Sequence, residues 1–451
     1  TQMPFIDVMK TARPWIGHRP GQWGGMEIGE LERLGVLDRY GWPTEIPNGL
    51  GAIGTVLLTD LPVEAVSLAG RYRVSFDGEG ILEIAGRASN IRYGKGQIDF
   101  DFTPGEGPVT LAINRTDPRG TGDYIRNISI VHQDQLALHD SGKIFNPDWL
   151  NRISGFGLHR FMDWMETNDS TQDSWANRPK MGDYTYAAKG VPLEIMIYLA
   201  NLTRTDPWFN IPHKADDDYV RMFANGVFTT LDPSLTAYVE YSNEVWNWQF
   251  EQARWADAQA RARWGKKDKW MQYYGLRAAR VARIWSAVFG AEGEARLVNV
   301  ISTQTGWLGL ESEALGAPLA AAEGLAAPAT AFDAYAISGY FGGVLGLEDR
   351  AGMVHRWLAE SEANAAEQAA GLNGQAAADY IAAHRFDHAS ALAGRELMDG
   401  AVSGNPEDTL SDLTGRVWPY HAKIAQDAGL DLIMYEGGSH VVGIGAQVDD
   451  A

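Results

Sequence analysis

From residue 143 onward the chain alternates apolar segments of strand length with longer stretches of helical spacing, and that alternation leaves few folds open. Candidate strands lie at 158–165, 192–199, 236–244, 295–303, 332–340 and 431–438, and "FIDVMK" (5–10) supplies an earlier one. Between them, residues 216–230 begin with three aspartates, which suit a helix N-terminus. The segment 249–289 is rich in Ala, Arg and Trp at helical spacing, and 347–428 holds several Ala-rich helices. Seven strands alternating with helices predict an α/β fold, a (β/α)8 TIM barrel. Only 13 residues follow "DLIMYEGG", too few for a helix and an eighth strand. Either the sequence stops short of the complete chain or the barrel is left open, and the first is the expectation.

Residues 53–132 have a different texture. Short alternating segments such as "GRYRVSFDG", "GILEIAG", "GQIDFDFTP" and "PVTLAINRT" are separated by Gly, Asp-Gly and Pro turns at roughly ten-residue spacing, the pattern of an antiparallel sandwich. The expected organisation is a first barrel strand and connecting segment over 1–45, with one short helix near 27–34. A β-sandwich over 46–140, inserted or appended, comes next. The rest of the barrel fills 141–451.

A formal charge of −20 argues against nucleic acid and anionic membrane as partners. No stretch approaches the roughly 18 apolar residues of a membrane span. The chain has no cysteine, which removes disulfides, thiolate metal sites and a cysteine nucleophile. The histidines lack metalloprotease spacing and "ADDDY" (215–219) lacks the spaced oxygens of a calcium loop, so no metal and no cofactor are expected. The N-terminal residues do not form a leader. A secreted or periplasmic protein whose leader is not part of this sequence is the expectation, with a cytoplasmic one left open.

The strand at 236–244 ends unusually. "TAYVEYSNEVWNW" runs from alternating apolar positions into Asn243, Glu244 and two tryptophans, where a plain turn would use Gly, Asp or Pro. In a barrel, strand C-termini converge on the mouth, and Glu436 ends another candidate strand in "IMYEGG". Two carboxylates at one mouth suit glycoside hydrolysis, one as nucleophile and one as acid and base. "EYSNE" (240–244) resembles the Glu-x-x-Asn-Glu motif that ends the fourth strand in retaining glycoside hydrolases of clan A, notably the family 5 type. This chain follows Asn-Glu with Val245-Trp246-Asn247 where that family has Pro, which points to another family of the clan.

The resemblance covers roughly 143–438 in strand order and implies roles for single residues. Glu244 is the acid/base, Glu436 the nucleophile and Asn243 the ligand of a sugar hydroxyl. Arg160 orients the nucleophile and Tyr340 hydrogen-bonds it. Carboxylates so placed stand about 5–5.5 Å apart, the separation for retention. Other candidates for carbohydrate contact are Trp164, Trp175, Trp246, Trp248 and Trp307 as stacking surfaces, Asp163 and Asn168 as hydroxyl-binding groups, and His440. Each has a plain structural alternative: core packing for the tryptophans, an ion pair for Arg160, loop capping for Asp163 and Asn168. Glu240 reads as a structural acid inside the barrel. The reading is a retaining β-glycosidase on a polysaccharide or oligosaccharide. Transglycosylation at the same site, or a non-catalytic carbohydrate-binding protein, stay open.

Overall fold

The computed structural model describes residues 3–443. They form two compact units: Thr1–Asn243, Phe250–Gln252 and Arg283–Leu297 in the first, and Glu244–Gln249, Ala253–Ala282 and Val298–Ala451 in the second.

Unit 1 opens with nine antiparallel strands: β1 (Ile16–His18), β2 (Gly25–Met26), β3 (Ala52–Leu57), β4 (Gly70–Asp77), β5 (Gly80–Gly86), β6 (Ala88–Gly94), β7 (Gln97–Phe102), β8 (Val109–Thr116) and β9 (Arg126–His132). They make two sheets, ordered β2-β1-β3-β8-β5 and β6-β7-β4-β9. Alternation drives this: in β7, Ile98, Phe100 and Phe102 are buried while their neighbours are not, and in β8 Val109, Leu111 and Ile113 do the same. One apolar core draws on both sheets, so the two layers pack face to face as a sandwich. The expected short helix is present at Ile28–Leu34, closed by Gly35 in the left-handed conformation. β6 was not foreseen, since its burial pattern shows no apolar face.

"FIDVMK" is not a strand. It makes isolated bridges, Phe5 to Phe145 and Asp7 to Val131, and then a short 3₁₀ helix over Val8–Thr11. The reason is Asp7, whose carboxylate accepts from the amides of Met9 (3.0 Å) and Ile130 (2.8 Å). A side chain that takes backbone amides offers the chain a turn in place of a ladder.

Six parallel strands follow: β10 (Leu158–Arg160), β11 (Asp206–Ile211), β12 (Ala237–Tyr241), β13 (Leu297–Ser302), β14 (Ala334–Phe341) and β15 (Asp431–Ser439). Their sheet order is their chain order, with helices between them, so the fold joins an α/β sheet of barrel type to a β-sandwich. Eight strands are not seen among the described residues. The segment 192–199, expected as a strand, lies in the helix Leu193–Thr203, and the strand is the next segment, Asp206–Ile211. The helix is buried at Leu193, Ile195, Met196, Ile197, Leu199 and Ala200, so its sequence carries no polar face to reveal the helical period. β10 is shorter than 158–165, because the chain turns from Phe161 into Glu166. No helix among the described residues is long and apolar enough to cross a membrane.

Candidate active site

In unit 2 a cavity of about 850 Å³ is lined by Glu244, Trp246, Trp248, Trp307, Tyr340 and His440, six of the residues singled out in the sequence, together with others from distant segments. Glu244 follows β12 with φ +39°, and Ser242 has φ +64°. Neither residue is glycine, and such backbone costs on the order of 1 kcal/mol or more. The left-handed step breaks the strand at once, so Glu244 belongs to a turn, closed by the amide of Asn247 donating to the Glu244 carbonyl (2.8 Å). Asn247 Nδ2 also donates to Glu244 Oε2 at 3.1 Å. Tyr435 Oη lies 3.5 Å from Glu244 Oε1, a long contact, and its ring stands 6.2 Å from that of Trp246.

Glu436 is half-buried on β15, and Tyr340 at the end of β14 donates to its Oε2 at 2.8 Å. The ring of His440 stands 5.1 Å from that of Tyr340. The pairing of β14 with β15 explains how consecutive residues reach these two partners. Ile337 pairs with Met434 and Ser338 with Glu436, so Tyr435 is an extra residue with no partner in the register. A regular strand would send Tyr435 and Glu436 to opposite faces. The bulge breaks that alternation: Tyr435 reaches Glu244 while Glu436 reaches Tyr340.

The cavity also has polar and aromatic walls that the sequence did not single out. Thr305 and Ser338 hold each other, the Ser338 amide donating to Thr305 Oγ1 at 2.7 Å. Behind them His421, fully buried, hydrogen-bonds the Thr305 carbonyl through Nε2 (2.8 Å) and Tyr335 Oη through Nδ1 (2.8 Å). Burial lowers the His421 pKa, so the neutral ring donates at Nε2 and accepts from the tyrosine at Nδ1. Trp270, nearly buried, holds Trp248 at 5.1 Å and Trp307 at 6.1 Å between ring centres. Trp248 and Trp307 themselves remain 42% and 49% exposed, so each keeps an open surface. Asp408, Asp412 and Arg416 come from the far end of the long helical segment. Asp408 accepts from the Val344 amide at 3.1 Å, and burial pushes its carboxyl up.

The remaining predicted residues lie in unit 1. Arg160 donates through Nη2 to Glu240 Oε2 (3.0 Å) and Asn243 Oδ1 (2.9 Å). Glu240 is 1% exposed and also accepts from Trp208 Nε1 (3.1 Å) and Asn210 Nδ2 (2.8 Å), a buried charge with several donors. Asn243 Nδ2 donates to Asn168 Oδ1 (3.1 Å), which also accepts from Gln252 Nε2 (2.7 Å). Trp164 packs among Phe5, Phe145, Trp149 and Phe161. Trp175 meets Tyr219 edge-on and carries the Arg178 guanidinium 4.4 Å above its ring. Asp163 is exposed in the turn after β10. Strand-end position alone could not separate these packed aromatics from open ones. Tyr435, one residue before Glu436, escaped notice because a regular strand sends such neighbours to opposite faces.

No protein-family model and no curated protein matches the chain. Among solved structures, the N-terminal endo-1,4-β-D-xylanase 10B of Clostridium thermocellum (CBM22-1 and GH10 modules, with xylohexaose) aligns over 79% of this chain and 80% of that one, at 11% identity and a TM-score of 0.27. A likeness at that level carries no statement about fold or function.

Proposed function

We propose that the chain is a retaining glycoside hydrolase that cleaves β-glycosidic bonds in a polysaccharide or oligosaccharide. The observation that carries this reading is a tryptophan-lined cavity that holds Glu244, hydrogen-bonded by Asn247, and Tyr340, whose hydroxyl donates to Glu436. Glu436 attacks the anomeric carbon as the glycosidic C–O bond breaks, and Glu244 gives its proton to the departing oxygen. Glu244 then takes a proton from water, whose oxygen displaces Glu436 and frees the sugar. A 2.8 Å hydrogen bond from Tyr340 holds Glu436 Oε2 in place for attack. The open indoles of Trp248 and Trp307 suit the C–H faces of sugar rings. The partner in this reading is a carbohydrate.

The test is a reducing-sugar and product-profile screen on β-linked polysaccharides, with Glu244→Gln and Glu436→Gln beside wild type. Loss of activity in both variants, with the β-anomer as first-formed product, is the expected result. An active Glu436→Gln would refute the assigned nucleophile. Binding without cleavage by wild type would favour a carbohydrate-binding protein, and transfer to an added acceptor sugar a transglycosylase.

A further inference from the structure

Asn247 is tied at both ends of its side chain to the turn that carries Glu244. Its backbone amide donates to the Glu244 carbonyl (2.8 Å) and its Nδ2 to Glu244 Oε2 (3.1 Å), while its Oδ1 accepts from the backbone amide of Gln249 (3.1 Å). The last bond fixes which way the side-chain amide faces. A backbone N–H can only donate, so the atom opposite Gln249 is the oxygen and the NH2 group faces Glu244. Asn247 is thus locked locally, as an Asx turn that reads its own chain two residues on. Glu244 starts from a less settled position. Its φ of +39° follows Ser242 at +64°, and its long side chain has several staggered rotamers to choose from. The donor on Asn247 selects among them.

We infer that Asn247 is the positioning residue for Glu244: it holds Oε2, so that the proton given to the departing oxygen is carried on Oε1. The inference rests on the hydrolase reading above. In a protonated carboxyl the oxygen that accepts an N–H bond is the carbonyl oxygen, and the hydroxyl is the other one. Asn247 touches no reacting atom and acts only through Glu244. The role needs a side chain that accepts from Gln249 with one atom and donates to Glu244 with the next. Aspartate meets the first condition and fails the second, because it offers Oε2 an oxygen in place of the NH2 group. Serine also accepts from Gln249, but it ends one bond earlier and has nothing to extend towards Oε2. Both substitutions therefore keep the local turn and remove the donor.

The experiment compares wild type, Asn247→Ser and Asn247→Asp on substrates that share their sugar and differ in leaving group. The pairs are cellotetraose with 2,4-dinitrophenyl β-cellobioside, and the xylose and mannose counterparts. A departing sugar needs the proton of Glu244, whereas dinitrophenolate is stable as an anion and leaves without one. The quantity read is kcat/KM, which reports the steps up to formation of the glycosyl-enzyme. On the tetrasaccharide that wild type cleaves, both variants should lose about tenfold to a hundredfold, and on its dinitrophenyl partner less than about threefold. Equal losses on the two, which a merely structural role would give, would overturn the inference, as would no loss on the tetrasaccharide. Crystal structures of wild type and Asn247→Ser give a readout that needs no substrate. Glu244 should occupy one rotamer in the first, and in the second its carboxyl should split or move by more than about 1 Å. An unmoved carboxyl would overturn the inference. A displaced carboxyl in a protein that cleaves none of these substrates would remove the hydrolase reading and leave the hold of Asn247 on Oε2 standing.

Discussion

Arg160→Met offers the sharpest energetic test of unit 1. The substitution preserves most of the side chain's length and packing while removing a guanidinium that donates to Glu240 and Asn243. Glu240, 1% exposed, keeps the neutral donors Trp208 and Asn210. Breaking a buried pair by removing one partner costs about 3–5 kcal/mol, because the remaining charge is left without compensation. The Asn243 oxygen adds about 1 kcal/mol if water does not replace the lost donor. The expected loss is therefore about 4–6 kcal/mol, read as a fall in the urea midpoint at unchanged slope. Arg160→Met combined with Glu240→Gln should recover most of it, since the amide is neutral and still meets Trp208. A loss below about 1 kcal/mol, or a double variant no more stable than the single one, would refute the view that Glu240 is a charge held by Arg160.

Tyr340→Phe removes the 2.8 Å hydrogen bond to Glu436. On whichever glycan the screen selects, kcat should fall about tenfold with KM within threefold, because a charge-assisted bond is worth about 1.5–3 kcal/mol and this tyrosine is partly in water. A raised KM at constant kcat would make it a binding residue instead. His213 gives a pH prediction: burial, the largest cause, lowers its pKa to about 4, from about 6.5 when unfolded. Below about pH 6.5 the unfolded chain takes up a proton that the native ring refuses, so stability declines as pH falls towards 4, by about 3 kcal/mol in all. Urea midpoints between pH 7 and 4 should fall less steeply in His213→Asn than in wild type, and parallel curves would refute the assignment.

The sandwich was legible because its strands alternate, and β12 to β15 because short apolar runs are bounded by turn residues. The third predicted strand failed for a physical reason: "PLEIMIYL" is apolar all round, and a helix buried on most sides shows the same run of residues as a buried strand. "FIDVMK" failed because Asp7 spends its carboxylate on two backbone amides, a long-range fact that no local pattern contains. In the candidate site, Glu244, Trp246 and Trp248 were visible together because they are contiguous in the chain. Asp408, Asp412 and Arg416 were not, since a helical excursion of some 60 residues separates them from β14, and nothing local marks them as cavity-facing. Trp164 and Trp248 share residue type and strand-end position, and only tertiary packing tells the first, in an aromatic cluster, from the second, which is open.

The unpaired residue in β15 makes the arrangement a matter of parity. Upstream of Tyr435 the strand keeps one phase with β14, and from Glu436 onward it keeps the other. Both phases are internally regular, so their junction is invisible to anything that scores each half alone. A chain one residue shorter at this point could retain every apolar contact of Asp431–Met434 and every turn residue after Gly437. It would nevertheless lose the extra residue, Tyr435, that reaches Glu244. Sequence comparisons that allow a single gap here would align two proteins closely while pairing Glu436 with a residue of opposite facing. Counting residues between Ile433 and Gly437 is thus a sharper criterion for this site than the identity of any one of them.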